Sequence, residues 1–193
     1  VKVKFSISNF HYAKRTKDED GTVSFEKPVH IPGSVSFNAE PQGEKSEFYA
    51  DGIVYYSTYA NNGYEGDAVF AMIPDAFRQE ILGEILDENQ VLIEKTDKAS
   101  VDFACGFDID SDTGRKIRIW YFNCSASRVT AEDTTKEENV EPTTDTVTIT
   151  CKPDEEGYVR AKTSDKTPDD IYKKWFDAVY QKTGTAAGTE AGA

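Results

Sequence analysis

The residues of this 193-residue chain that come nearest to a ligand-binding motif are Asp108, Asp110 and Asp112, at alternate positions and followed by Gly114. A calcium loop needs glycine at its sixth place and a bidentate glutamate at its twelfth. Counted from Asp108, the glycine stands one place late and the glutamate position is Ile119, so the run reads as a solvated hairpin turn. His11 and His30 are the two histidines, and neither has the spacing of a zinc ligand pair or of a catalytic triad. Cys105, Cys124 and Cys151 are odd in number and lack CxxC spacing, which argues against a disulfide framework and a structural zinc site. Cys105 shares the alternation of Val101, Phe103, Phe107 and Ile109, and Cys151 that of Val147 and Ile149, so both read as small buried hydrophobes. There is no GxGxxG, no Walker loop and no GxSxG. No catalytic residue, cofactor or metal is expected, and Asn123-Cys124-Ser125, although it has the glycosylation form, falls inside a predicted strand.

Charge narrows the function classes further. Twenty-two Lys and Arg stand against 35 Asp and Glu, a net charge of −13. Such a chain is repelled by phosphate backbones and anionic membranes. No apolar run approaches the roughly 20 residues of a membrane helix. The expectation is a soluble protein made in a reducing cytoplasm.

The elements that must position these residues are mostly strands. Val1, Val3, Phe5 and Ile7 alternate with Lys2, Lys4 and Ser6, the pattern of a strand with one buried face. Segments at Asn9 to Arg15, Thr22 to Ile31 and Val35 to Glu40 follow, separated by an acidic turn ending at Gly21 and by Pro32-Gly33. Glu47 to Tyr59 is interrupted by Asp51-Gly52, a tight turn or a bulge. Asp67 to Ile73 is a short strand. Pro74 then opens a predicted helix to Leu86, with Phe77, Ile81, Leu82, Ile85 and Leu86 on one stripe that packs on the sheet. Val101 to Asp110 and Arg115 to Ser127 make a long hairpin, and Thr146 to Pro153 and Tyr158 to Thr163 a further strand pair. A last helix begins at Thr167-Pro168-Asp169-Asp170 and carries Ile171, Trp175, Phe176 and Val179. The expected fold is mainly β, a sandwich or barrel-like domain over residues 1–182 with a flanking helix and a C-terminal helix. Polar arms are expected at 41–46 and 128–145, and a flexible tail at 183–193.

The stretch Phe48-Tyr-Ala-Asp-Gly-Ile-Val-Tyr-Tyr-Ser-Thr-Tyr-Ala-Asn-Asn-Gly-Tyr-Glu-Gly66 resembles the major tail proteins of long-tailed, siphophage-type bacteriophages. It runs into Ile73-Pro-Asp-Ala-Phe77 and Leu82-Gly-Glu-Ile-Leu86. Tyr121-Phe-Asn-Cys-Ser-Ala-Ser-Arg128, an acidic Thr/Glu arm, Thr146-Val-Thr-Ile-Thr150 and Trp175-Phe-Asp-Ala-Val-Tyr180 follow in the same order. The resemblance implies a tail tube subunit that forms hexameric rings stacked into a hollow tube, assembled in the host cytoplasm. Its implied partners are copies of itself, a tape measure protein, and the tail tip, distal tail and tail terminator proteins, with DNA only in transit. A bore that lets DNA slide should not bind phosphates, so carboxylates are expected to line it. Glu40, Glu47, Asp51, Asp102 and Asp108 are the candidates. The rival from another class is a β-sandwich carbohydrate-binding or adhesin module, in which exposed Tyr and Trp would form a sugar platform.

Overall fold

The computed structural model describes residues 3–112, 114–131 and 142–183. In chain order the first elements are strands β1 (Lys4–Lys17), β2 (Val23–Phe25), β3 (Val29–Ile31), β4 (Ser34–Pro41), β5 (Lys45–Ala50), β6 (Ile53–Tyr59) and β7 (Tyr64–Phe70), then helix α1 (Asp75–Glu80). Strands β8 (Ile85–Leu86), β9 (Leu92–Ile93), β10 (Phe103–Ser111), β11 (Ile117–Ala126), β12 (Thr130–Ala131), β13 (Asp145–Lys152) and β14 (Arg160–Lys162) follow, and helix α2 (Asp169–Lys173) comes last. The fold is mainly β, as the alternation predicts.

β1 merges two segments that the sequence suggested were separate, and its alternation changes phase on the way. Asn9 lies in the left-handed region at φ 57°, and the pairing with β10 slips between Ser8 and His11. An extra residue in one strand moves later side chains to the other face. Phe10 and Tyr12 therefore point into the core, whereas Phe5, expected on the buried face, is 69% exposed and Val3 is exposed with it.

The main sheet runs β2-β1-β10-β11-β13-β7-β4, with antiparallel pairs throughout. β3 pairs with β1 near one end. Only Pro32 and Gly33 later, β4 pairs with β7 at the other end. Residues 29–41 thus touch both ends of the sheet, which curls around one apolar interior. Rings from five strands meet there. Phe10 lies 5.0 Å from Phe70 edge to face and 5.9 Å from Phe107, and Phe37 lies 5.5 Å from Phe107 and 6.0 Å from Tyr121. Such edge-to-face pairs add to the burial of their large apolar area.

The helices cover two different places. α1 closes over the main core with Phe77 and Ile81, both buried, and Phe77 meets Tyr12 at 5.1 Å and Phe103 at 5.7 Å. The Tyr12 hydroxyl donates to Glu80 at 2.9 Å. The helix is shorter than the apolar stripe predicts: it ends at Glu80, Gly83 turns the chain at φ 76°, and Ile85 and Leu86 form β8 against β9. α2 is likewise one short turn, yet the residues after it do what the sequence asked. Trp175 and Val179 pack with Ala13, Ala104 and Trp120 on the sheet's other face, and the Trp120 indole donates to the Trp175 carbonyl at 2.9 Å. Gly106 makes room for this second layer, because a β-carbon there would stand 2.6 Å from the Trp120 ring.

Candidate functional site

The β5–β6 hairpin is built by local chemistry. Asp51 and Gly52 both have positive φ, 51° and 77°, the requirement of a two-residue type I′ turn, and Ala50 pairs directly with Ile53 across it. At its base Gln42, Glu44, Ala60, Asn62 and Gly63 exchange backbone hydrogen bonds of 2.9–3.0 Å, so the hairpin prolongs the β4–β7 ladder beyond the body of the sheet. Among the described residues, β5 and β6 pair only with each other.

Every residue of β6 is exposed although its sequence is Ile-Val-Tyr-Tyr-Ser-Thr-Tyr. Tyr55 is 74% exposed, Tyr59 72%, Ile53 64% and, from β5, Phe48 62%. A lone two-stranded hairpin is marginal in water, and a contiguous apolar surface marks an interaction site. The sequence predicts an arm in the polar residues 41–46. In the structure those residues are the end of β4, the base and the start of β5, and the projecting part is Lys45–Tyr59. Most of the second expected arm, residues 132–141, and the tail from 184 lie outside the described residues.

A second surface of distinct chemistry lies on the outward face of β4, β7 and β13. Glu40 stands directly opposite Glu65, and Asn38 opposite Asp67. Thr148 donates to Asp67 at 2.8 Å and Thr150 to Glu65 at 3.0 Å. Like charges facing each other across a strand pair cost stability, so the Glu40–Glu65 pair is not explained by the folding of one chain.

A family model for phage tail tube proteins matches residues 2–183. This chain belongs to the phage tail tube protein family. No curated protein matches it. The tail tube family is a structural one, not an enzyme family, its place is the virion tail, and its members assemble with copies of themselves.

In this tail tube family member the five acids singled out from sequence do not share one surface. Glu40 lies on the outward face just described. Glu47 sits on the hairpin, held below the usual carboxylate range by its ion pair with Lys45 and by the Tyr49 hydroxyl, which donates to it at 2.7 Å. Asp51 is at the hairpin tip. Asp102 is exposed just before β10, its carbonyl accepting from the Arg15 amide at 2.9 Å. Asp108 is buried, 3.2 Å from the Arg118 side chain and accepting from Asn9 at 3.2 Å, and burial raises its pKa despite the guanidinium. Asp110 in turn pairs with Lys116 at 3.0 Å. Of the helix-packing set, Phe77 and Ile81 are buried and Ile85 is on the exposed strand β8. Glu65 and Asp67 escaped the sequence reading, although the buried Ala68 and Phe70 share an alternation that puts both acids outward.

Proposed function

We propose that the chain, with residues 1–182 as its tube domain, is the repeating unit of hexameric rings that stack into a hollow tube through which DNA is delivered. The observation that carries this reading is the β5–β6 hairpin. Among the described residues of one chain nothing covers its apolar side chains, and its length along the β4–β7 ladder lets it reach a neighbour. The contact is heterologous, hairpin on one copy and receiving surface on the next, which builds rings and rods rather than closed dimers. The acidic, hydroxyl-rich face of β4, β7 and β13 suits the bore, because carboxylates leave passing phosphates unbound while lysines would hold them. A tape measure protein inside, and tail tip, distal tail and terminator proteins at the ends, complete the assembly, which takes place in the host cytoplasm.

The test is electron microscopy with sizing over a concentration series, comparing the wild type with Tyr55→Ser/Tyr59→Ser. Rings or tubes are expected from the wild type, and a folded monomer with unchanged circular dichroism from the variant. A wild type that stays monomeric at every concentration, with tail tip complex supplied as initiator, would overturn the proposal. So would a variant that still makes tubes.

A further inference from the structure

The three cysteines lie far apart in sequence, and the two with a readable alternation, Cys105 and Cys151, are expected to be small core residues; all three converge on one point. β11 and β13 pair Cys124 directly opposite Cys151, and their sulfurs are 3.2 Å apart. Cys105 comes from β10, where the register slips between Phe103 and Cys105, and its sulfur is 3.6 Å from that of Cys124. The slip keeps both Tyr121 and Cys124 inward although they are three residues apart, an odd spacing that a regular strand would split between faces. All three sulfurs lie within 4.8 Å of one another, and all three residues are fully buried. Packing alone asks only for small apolar groups at these places and gives no reason for three thiols to converge.

We propose that Cys105, Cys124 and Cys151 form a three-sulfur site for a trivalent thiophilic metalloid of the arsenite or antimonite class. Two features select this class over the divalent ions that thiols more often bind. Structural zinc takes four donors, and among the described residues no histidine or carboxylate joins these three sulfurs. A planar three-thiolate zinc centre would also set its sulfurs about 4 Å apart, wider than the 3.2 and 3.6 Å that separate Cys124 from its two neighbours. The second feature is charge. Three thiolates around a divalent ion leave a net negative centre, and a buried charge with no partner is strongly disfavoured. Three thiolates around a trivalent ion are neutral and suit an apolar interior.

The binding step balances without any oxidant. Arsenous acid has three As–O bonds, and each breaks as an As–S bond forms. Each departing hydroxide takes one thiol proton and leaves as water, so three thiols and one arsenous acid give one tris-thiolate and three waters. The product ties β10, β11 and β13 together at one atom, and a ligand that binds only the folded state raises its melting temperature.

The site is independent of the tube reading and is tested on the full chain. Protein kept reduced with a phosphine is folded in the presence of sodium arsenite, then freed of excess reagent. One arsenic per chain by native mass spectrometry, three sulfur neighbours by X-ray absorption and a raised melting temperature are expected, with no shift from zinc chloride. Cys105→Ala, Cys124→Ala and Cys151→Ala should each lose the three-sulfur signature. Because a variant could also fold poorly, the decisive measurement is on the wild type. Failure to retain arsenic, a centre with two sulfurs and one oxygen, tighter binding of zinc than of arsenite, or a Cys124–Cys151 disulfide that survives the phosphine and keeps arsenic out would each overturn the proposal.

Discussion

His11 illustrates how a single side chain can take its properties from strands distant in sequence. Its ring stacks on Phe176 at 4.5 Å, lies 5.1 Å from the His30 ring, and has Nδ1 2.9 Å from the Asn9 carbonyl. Burial is the main influence and holds its pKa below 6.5, with His30 and Arg118 adding to the effect and the Asn9 hydrogen bond opposing it. Above pH 6.5 the imidazole is neutral in both folded and unfolded chains and contributes no pH dependence. As the pH falls below that value the unfolded chain takes up a proton that the native His11 resists, so stability declines until the native pKa is passed. Urea midpoints measured from pH 8 to pH 5 should therefore fall in the wild type. His11→Phe, which keeps the stacking on Phe176, should flatten the slope. An unchanged slope in that variant would assign the effect elsewhere. None of this was readable from the sequence, where His11 is an isolated histidine: its neighbours come from β3 and from the segment after α2, and no local pattern brings those together.

At the level of elements, local rules worked where a turn or an alternation decides the outcome and failed where pairing does. Asp51-Gly52 reads as a tight turn and is one, and the alternation around Cys105 correctly placed Phe103 and Phe107 inside. The predicted helix to Leu86 overran because Ile85 lies four residues beyond Ile81, a helical spacing, whereas Gly83 and the pairing of β8 with β9 take Ile85 out of the helix. This difference makes a paired prediction. Ile81→Asp places an unpaired charge at a fully buried position and should cost several kcal/mol, seen as insoluble protein. Ile85→Asp falls on an exposed strand and should cost under about 1 kcal/mol in urea denaturation. Equal losses would show that β8 is covered. For the hairpin, Gly52→Val forces a β-branched residue to φ 77° and should disturb the turn. The melting temperature of the monomer is expected to hold while tubes seen by negative stain become rare. Tubes in normal yield would remove the turn from the assembly argument.

On the scale of the whole molecule, the curl of the sheet depends on contacts that no window of sequence contains. β1 pairs with β10, and residues 29–41 connect β1 to β7, so strand order was invisible although strand content was plain. The same limit scattered the five acids: each was a carboxylate on or near a strand, but only the register shows that Glu40 faces Glu65 next to Asp67 and that Asp108 is committed to Arg118. The bore prediction is accordingly concentrated on β7. Glu65→Lys/Asp67→Lys should leave tube assembly intact and slow DNA ejection, and added salt should restore part of the rate by screening the new attraction. Loss of assembly instead of ejection would place this face between subunits rather than along the bore.

The long-range pairing of β1 also sets an order of events on the ribosome. Lys4 pairs with Ser111, so the first strand has no β10 partner until the chain has emerged beyond that position. At a synthesis rate of about 5–20 residues per second that wait lasts several seconds. The β5–β6 hairpin and the β4–β7 ladder at its base need nothing beyond Phe70, and hairpins close in about 1–10 μs. A nascent chain therefore displays its aromatic ribbon long before it owns a folded body. A neighbouring nascent chain that has not yet made β10 to β14 lacks a completed main sheet. On the proposed docking of the ribbon onto a completed sheet, translation order delays joining until a neighbouring copy has made and folded its later strands.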